Sequence, residues 1–208
     1  FKKYVSKNIV DKLLESEDSL NLGGTESEIT ILFSDIRGFT SMSEKLSPTQ
    51  IVKLLNKYFK SMIDVVFKFN GTLDKIVGDE LMVLYGVPLK SEDDTENAVK
   101  TAVQMFKSLD KFNERIIKDG FKPFKIGIGI NKGKAVSGNI GSDQQMNYTV
   151  IGDTINLGAR LCSHAKSGQI LISNSVKDVI GDNYDFKKIP TIEVKGKSKP
   201  IEVWSYMH

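Results

Sequence analysis

The chain has 208 residues, of which 40% are hydrophobic and 26% charged, and its formal net charge is +3 at pH 7. This is the size of one large domain, which buries roughly 70% of the surface that the unfolded chain exposes. The small charge and the lack of a bilayer-length apolar stretch argue against nucleic-acid binding and membrane spanning. The single cysteine, Cys162, excludes an internal disulfide and is interpreted as a small buried hydrophobic residue.

Residues 1–24 are predicted to form an N-terminal helical linker, and residues 25–208 a single domain. The alternative is that the N-terminal helix packs on the body of that domain. Apolar residues recur at helical spacing from Phe1 to Ser16, and the run from Asn21 to Gly24 ends that pattern. The chain begins with Phe1 rather than Met, so we expect it to be part of a longer protein with an upstream regulatory domain.

Two apolar segments each end or turn at a carboxylate. The first runs from Ile31 to Ile36 and leads through Asp35 into a turn that contains Gly38. The second, Leu73 to Tyr85, is interrupted only at Gly78 and Asp79, which is typical of a hairpin turn between two strands. If the first strand lies beside this hairpin, both carboxylates converge at one end of a sheet.

Two long helices alternate with these strands. Ser47, Pro48 and Gln50 form a capping box that opens a helix ending at Asn70 and Gly71. A second helix is predicted from the acidic segment 91–94 to Gly120. A glycine-rich strand, 125–130, follows. The order strand, helix, strand, strand, helix, strand predicts an α+β fold with a ferredoxin-like βαββαβ core.

The last third of the chain adds strands, a short helix and a hairpin. Segments 135–140 and 148–151 flank a polar loop, 141–147, and together predict a protruding hairpin. Asp153 is predicted to cap a helix through Leu161 on which Asn156 and Arg160 share a face, because they are four residues apart. Further elements are predicted at 169–173, 174–180 and 192–206.

The two strand-end carboxylates predict a site for a hard cation. Either one alone is more often a structural cap or turn residue. Together, with no cysteine or histidine at ligand spacing near them, Asp35 and Asp79 suit Mg²⁺ rather than zinc.

Three motifs carry a family resemblance. They are Phe33 to Thr40 (FSDIRGFT), Asp74 to Asp79 (DKIVGD) and Tyr148 to Arg160 (YTVIGDTINLGAR). In this order they resemble the metal-binding, base-reading and transition-state motifs of class III nucleotidyl cyclases, and the resemblance covers nearly the whole chain. Three motifs in the right order are far more specific than one short pattern.

The resemblance implies a reaction in which the 3′-hydroxyl of a nucleoside triphosphate attacks its own α-phosphate and expels pyrophosphate. It implies two Mg²⁺ or Mn²⁺ ions per active site, bridged by Asp35 and Asp79, with the Ile36 carbonyl as a further ligand. The backbone N–H groups of Gly38, Phe39 and Thr40 are expected to cradle phosphate oxygens.

The remaining substrate contacts are assigned by the same resemblance. Arg160 is expected to stabilise the charge that accumulates on the α-phosphate, and Asn156 to fix the ribose. Without the resemblance, Arg160 would be interpreted as a surface arginine paired with a nearby acid. Lys195 resembles the lysine that binds the triphosphate, with Lys197 as the alternative because neighbouring basic residues leave the register open.

Hydrogen-bond complementarity favours ATP over GTP. A lysine ammonium facing adenine N1 and a hydroxyl oxygen facing the N6 amino group are complementary, and Lys75 and Thr149 supply that pair. Thr149 departs from the commoner family pattern, which has Asp there. The threonine-containing subgroup, which resembles class IIIb, is often associated with bicarbonate stimulation, so bicarbonate is an effector to be tested.

The resemblance also implies a homodimer, in which one protomer supplies the metal carboxylates and the other supplies Lys75, Thr149, Asn156 and Arg160. It further implies that the predicted hairpin is a dimerisation arm that reaches across the interface, the alternative being a surface loop. The predicted function is therefore an adenylate cyclase that forms 3′,5′-cyclic AMP. The alternatives are a guanylate cyclase and a catalytically silent domain used for dimerisation or nucleotide binding. We expect a cytoplasmic domain, within a larger or membrane-attached protein.

Overall fold

The computed structural model describes residues 23–142, 144–193 and 200–208, which form one mixed sheet with helices on both faces. The strands are β1 (Gly23–Ile36), β2 (Thr72–Val77), β3 (Glu80–Tyr85), β4 (Ile126–Ser142), β5 (Gln145–Ile151), β6 (Gln169–Ser173), β7 (Lys187–Ile192) and β8 (Ile201–Met207). The helices are α1 (Phe39–Ser43), α2 (Pro48–Lys68), α3 (Asp94–Lys118), α4 (Asp153–His164) and α5 (Asn174–Ile180). None of the helices in the described part of the chain combines the length and apolar character needed to cross a lipid bilayer.

The predicted ferredoxin-like core is present. Its strands lie in the order β2-β3-β1-β4, all antiparallel to their neighbours, and β6, β8 and β7 extend the sheet beyond β4. Strand β6 runs parallel to β4, and β5 pairs with β4 outside this row. The α+β fold class predicted from the order of elements is therefore confirmed.

The sheet separates two apolar layers, and the alternation along β1 assigns each residue to one of them. Leu32 and Ile36 face α2 and α3, together with Val83 of β3. Ile31 and Phe33 face the opposite side, together with Met82. Helix α4 packs on this second face, which we call the α4 face. Because side chains alternate along a strand, Asp35 continues the row of Ile31 and Phe33 on the α4 face.

Helix α2 begins where the sequence predicts. The Ser47 hydroxyl accepts a hydrogen bond from the Gln50 backbone N–H, and the Gln50 side chain accepts one from the Ser47 N–H. Pro48 occupies the first helical position, where its missing N–H has no partner to lose. The helix then buries one apolar stripe against the sheet, at Leu54, Tyr58, Met62, Val65 and Val66.

The sequence predicts two separate segments, 125–130 and 135–140, where the structure has the single strand β4. This strand continues unbroken through the polar run 131–134. Antiparallel partners on β1 extend from Ile126 opposite Ile36 to Asn139 opposite Gly23. Cross-strand ion pairs support the polar run: Lys132 with Glu28 at 2.8 Å and Lys134 with Glu26 at 2.9 Å. Asn and Gly in this run resemble a turn locally, and only the partner strand shows otherwise.

The predicted polar loop 141–147 is also wrong in its bounds. Gly141 pairs with Met146 and Ser142 with Gln145, so that β4 and β5 extend almost to the tip of the hairpin. A Cβ at Gly141 would lie 2.2 Å from the Gln145 carbonyl oxygen, so this close pairing requires glycine. The result is a ribbon built of regular strands.

Two further predictions are corrected. Asp153 is the first residue of α4, whereas the capping position belongs to Gly152, whose φ of 155° suits glycine. The predicted strand region 192–206 is divided: β7 ends at Ile192 and β8 begins at Ile201, and the β7 segment before Ile192 was not predicted. The predicted N-terminal helix, 1–16, lies outside the described residues, and β1 already begins at Gly23.

Candidate active site

The fold brings the two predicted metal carboxylates together. Strand β1 pairs with β3 up to Ser34 opposite Leu81, so the end of β1 lies beside the turn that precedes β3. Gly78 adopts a left-handed conformation with φ of 63°, which makes the turn tight and places Asp79 at its end. Asp35 and Asp79 are therefore neighbours at one end of the sheet, although 44 positions separate their numbers in the chain.

The two carboxyl groups affect each other's ionisation. Burial, the negative charge of Asp35 and a hydrogen bond with its side chain raise the pKa of Asp79 to about 6. The backbone N–H groups of Asp79 and Ile36 oppose that rise by donating to the carboxylate. Burial, followed by the charges of Asp35 and Asp79, also raises the pKa of Glu80. Negative charge is thus concentrated at this end of the sheet.

Arg37 is a residue to which the sequence alone assigned no role. Its guanidinium lies 3.1 Å from an Asp35 carboxylate oxygen and donates a hydrogen bond to the Cys162 carbonyl of α4. It also lies over Gly127, where any side chain would collide with it. Its position two residues after Asp35, where an extended backbone places both side chains on one side, was the signal that could have predicted this contact.

The donor set fits a hard divalent cation. Asp35, Asp79 and the backbone of Ile36 offer oxygen atoms only, and the mutual repulsion of the carboxylates is what a cation would relieve. No cluster of three or more His, Cys, Asp or Glu side chains suited to a metal occurs within the described residues. A site with two carboxylates matches Mg²⁺, which keeps waters and phosphate oxygens among its ligands.

The predicted base-reading residues also meet. Lys75 on β2 donates from Nζ to the Thr149 hydroxyl on β5 at 3.1 Å, across 74 residues of sequence. Asp74, which the sequence did not single out, completes the cluster. Its Oδ2 accepts a hydrogen bond from the Thr149 hydroxyl at 3.1 Å and pairs with Lys75 Nζ at 3.1 Å. Burial raises the pKa of Asp74, and these two donors oppose the rise.

Asn156 and Arg160 lie on α4, one turn apart. Gly158 between them is buried against the sheet, where a Cβ would lie 2.9 Å from the Ile31 side chain. Two residues correspond to about 200° of helix rotation, so Asn156 and Arg160 point away from the sheet that carries Asp35. Within the described ranges no acid pairs with the Arg160 guanidinium, in contrast to the surface ion pair considered from the sequence.

The structure describes some of the residues that are predicted to contact phosphate groups. Gly38 adopts a left-handed conformation with φ of 73° and precedes the first residue of α1. The N–H groups of Phe39 and Thr40 therefore lie in the first turn of that helix. No side-chain acceptor caps this end. Lys195 and Lys197 lie outside the described residues. The metal-binding and substrate-binding roles of all these residues stay predictions.

The two histidines lie away from these clusters. His164 contacts the Arg160 carbonyl at the end of α4, and His208 pairs with Asp110 and stacks on Phe106. These contacts give both rings structural partners.

Comparison with known proteins connects this geometry to a family. A model of the adenylate and guanylate cyclase catalytic domain matches residues 24–207. Adenylate cyclase 1 of Rhizobium meliloti (strain 1021) is 31% identical over 206 residues, which cover 98% of this chain and 31% of that protein. The chain thus spans about a third of the length of this curated relative.

Solved structures of cyclases have the same fold as this chain. The guanylyl cyclase Cya2 superposes with a TM-score of 0.85 at 41% identity, covering 88% of this chain and 93% of the other. The adenylyl cyclase CyaB from P. aeruginosa also has a TM-score of 0.85, at 37% identity, with 88% and 95% of the two chains covered. Both nucleotide specificities therefore occur among proteins with this fold.

Proposed function

Because the chain belongs to the family of adenylate and guanylate cyclase catalytic domains, we propose that it converts ATP to 3′,5′-cyclic AMP and pyrophosphate in a homodimer. The observation that carries the choice of ATP is the contact between Lys75 and Thr149. Adenine presents an acceptor at N1 and a donor at N6, which complement an ammonium and a hydroxyl oxygen. Guanine presents the reverse pattern.

Asp35 and Asp79 would hold the metal ions, together with the Ile36 carbonyl. Two divalent ions at this position would lower the pKa of the 3′-hydroxyl and neutralise the charge on the leaving pyrophosphate. The protein holds its two acidic side chains close together despite their repulsion, which supports this assignment. Arg37, paired with Asp35, would keep that carboxylate oriented between α4 and the end of β1.

The other protomer would supply Asn156 and Arg160. An arginine without an acidic partner can donate two parallel hydrogen bonds to the α-phosphate oxygens, where charge accumulates in the transition state. Asn156 would orient the ribose so that its 3′-hydroxyl attacks in line. Gly38, Phe39 and Thr40 would bind phosphate oxygens through their N–H groups, and Lys195 or Lys197 would bind the triphosphate.

Two features support the composite site. Asn156 and Arg160 point away from their own sheet, so they do not face a substrate that is bound at Asp35 of the same chain. Apolar side chains are exposed at the end of β2 and along the hairpin of β4 and β5, as a protein interface requires. They are Ile76, Val77, Val136, Met146 and Ile151.

The direct test is product identification. The purified chain is incubated with Mn²⁺ and either ATP or GTP, and the products are separated by chromatography. We expect cyclic AMP from ATP and little cyclic GMP from GTP. A guanylate cyclase, the second candidate because of the similarity to Cya2, would give the opposite result. Absence of both products with intact nucleotide binding would indicate a catalytically silent domain.

Complementation tests the homodimer. Asp35→Asn and Arg160→Ala should each be inactive alone, because each removes one essential group from both sites. Mixed dimers carry one site without either substitution, so we expect activity to return to about a quarter of the wild-type value. If mixing restores nothing while the variants still dimerise, the two groups do not come from different protomers.

Exchange of the base-reading pair tests the substrate assignment. Lys75→Glu together with Thr149→Cys replaces the ammonium by an acceptor for guanine N1–H and should shift preference towards GTP. Unchanged preference for ATP would contradict the role of both residues.

Regulation is proposed to come from other parts of a longer protein, in keeping with relatives of which this chain covers less than half. Bicarbonate is the small effector to be tested, by adding its sodium salt to the cyclase assay at constant pH with sodium chloride as the control. The proposed location is a cytoplasmic domain, with or without membrane attachment elsewhere in the protein.

A further inference from the structure

We propose that Asp74 is a specificity-determining positioning residue, which makes Thr149 accept rather than donate a hydrogen bond at the base and so selects adenine over guanine. This inference rests on the proposed function, because it explains how the pair of Lys75 and Thr149 distinguishes the two bases. It adds a third residue, to which the sequence alone assigned no role.

A β-bulge places Asp74 in the cluster. Leu73 pairs with Val83 and Lys75 with Met82, so Asp74 is an extra residue between consecutive partners on β3. Leu73 packs in the layer of Val83 beneath α2 and α3, whereas Lys75 lies opposite Met82, which faces the α4 side. In a regular strand Leu73 and Lys75 would share a face, and Asp74 would point to the other one. The bulge directs Asp74 and Lys75 to the same hydroxyl.

The Asp74 side chain cannot read the base itself, because it is 0% exposed. Its Oδ2 contacts both polar groups of the pair, the Thr149 hydroxyl and the Lys75 ammonium. Its Oδ1 is buried and has no hydrogen-bond partner among the described residues. Burial of a carboxylate with one unpaired oxygen opposes folding, so a structural explanation alone does not account for an acid here.

The chemical consequence follows from the count of donors. A threonine hydroxyl has one proton and two lone pairs, and it normally rotates to suit its neighbours. Here the proton is donated to Asp74, and one lone pair accepts a hydrogen bond from Lys75. Only a lone pair remains for the base. It attracts the N6 amino group of adenine and repels the O6 oxygen of guanine.

Asp74 also orients the Lys75 ammonium in a way that favours adenine over guanine. The ammonium has three N–H donors, of which one points to Asp74 and one to Thr149. The third remains for an acceptor such as adenine N1 and is unsuited to the N1–H of guanine. Without Asp74 the threonine hydroxyl would be free to turn its proton towards guanine O6.

A double-mutant cycle tests this mechanism. The ratio of kcat/KM for ATP to that for GTP is measured for the wild type, Asp74→Asn, Thr149→Val and the double variant. An asparagine amide can both donate and accept, so Asp74→Asn releases the hydroxyl without changing the size of the side chain. We expect the ratio to fall about tenfold, the effect of one discriminating hydrogen bond. In the Thr149→Val background, Asp74→Asn should change the ratio less than twofold, because no hydroxyl is left to orient.

Controls separate selectivity from general damage. Asp94→Asn removes another partly buried carboxylate, one at the start of α3 that accepts a hydrogen bond from the Ser91 N–H at 2.8 Å. It should leave the ratio unchanged. Thermal unfolding is recorded for every variant, and Asp74→Ser, which is smaller, replaces Asp74→Asn in the cycle if that variant does not fold.

The outcomes are distinct. An unchanged ratio in a folded Asp74 variant overturns the inference, and so does an equal fall of the ratio in both backgrounds. Calorimetric dissociation constants for ATP and GTP are measured in parallel. A wild type that binds ATP selectively, loses that selectivity on Asp74→Asn and yet forms no cyclic AMP would contradict the proposed function and retain the inference. A wild type that prefers GTP would overturn both.

Discussion

At the scale of single residues, the acidic pair at the end of β1 opposes folding in the absence of a cation. Burial, followed by the negative charge of Asp35, raises the pKa of Asp79, so the ionised pair is unfavourable here. No contact in the described structure requires both residues to be acidic for the turn to form, since Gly78 supplies the backbone conformation. Such a local conflict is typical of functional sites, where stability is traded for activity.

Asp79→Asn should therefore stabilise the metal-free protein while it removes activity. At pH 7.5 in EDTA we expect Tm to rise by about 2 °C, because the repulsion disappears. Turnover with Mn²⁺ should fall about 100-fold or more, because one of two metal carboxylates is lost. The control is Asp64→Asn, an exposed partner of Lys60 on α2, which should change neither quantity measurably. A lower Tm in Asp79→Asn would contradict the repulsion.

Cys162 provides a second test at this scale. The side chain is fully buried, and burial raises the pKa of its thiol to about 12. Thiolate is the reactive form, so we expect no alkylation by iodoacetamide at pH 8 in the native protein and complete alkylation in denaturant. Mass spectrometry after timed labelling measures both rates. Rapid labelling of the native protein would show that α4 does not stay packed on β4.

At the scale of elements, glycines determine how closely α4 approaches the sheet. A Cβ at Gly129 of β4 would lie 2.1 Å from the backbone nitrogen of Cys162, and one at Gly158 of α4 would contact Ile31 at 2.9 Å. Backbone atoms cannot move aside as a flexible side chain can. The position of α4, and with it that of Asn156 and Arg160, therefore depends on the absence of side chains at this contact.

Gly129→Ala should displace α4 and reduce activity. Overpacking of backbone against backbone is expected to cost about 3 kcal/mol of unfolding free energy, and kcat should fall because Asn156 and Arg160 move with the helix. Urea unfolding and the cyclase assay measure the two effects.

The matched control for that experiment is Ser47→Ala. It removes the capping hydrogen bond of α2 and should cost about 1 kcal/mol while kcat is kept. Equal loss of kcat in Ser47→Ala and Gly129→Ala would mean that stability alone, and not the position of α4, limits activity.

At the scale of the whole molecule, the protruding ribbon of β4 and β5 predicts the mode of association. Met146 is 38% exposed close to its tip, although it is a large apolar residue. The proposed homodimer would cover such side chains, and its active sites would exist only in the associated form.

Met146→Glu should weaken the dimer. We expect the dissociation constant to rise about tenfold or more, because a charge would be buried at the interface, and specific activity to fall at protein concentrations where the wild type is still dimeric. Sedimentation velocity and dilution assays measure these quantities. Met207→Glu is the control, because Met207 is exposed on β8, which pairs with β6 and β7 and not with the ribbon. Equal behaviour of both variants would exclude the ribbon from the interface.

Local chemistry was sufficient for several features. The capping box at Ser47, the turn at Gly78 and the order of strands and helices all depend on short-range preferences, and they predicted the ferredoxin-like core. Convergence of Asp35 and Asp79 followed from that order, because adjacent antiparallel strands bring an end and a turn together. The pairing of Lys75 with Thr149 was predicted through the family resemblance and is observed as a contact.

Other features depended on partners distant in the sequence. The run 131–134 has turn-like composition, and it is a strand because its backbone pairs with β1, where Glu26 and Glu28 also form ion pairs with its lysines. The role of Asp74 requires a bulge, which shifts the alternation of side chains by one residue and has no signature in the sequence. The sequence by itself determined which chemical groups are present and which elements carry them. Only the tertiary structure decided which face each side chain occupies, because the register between strands depends on contacts between segments that are far apart in the chain.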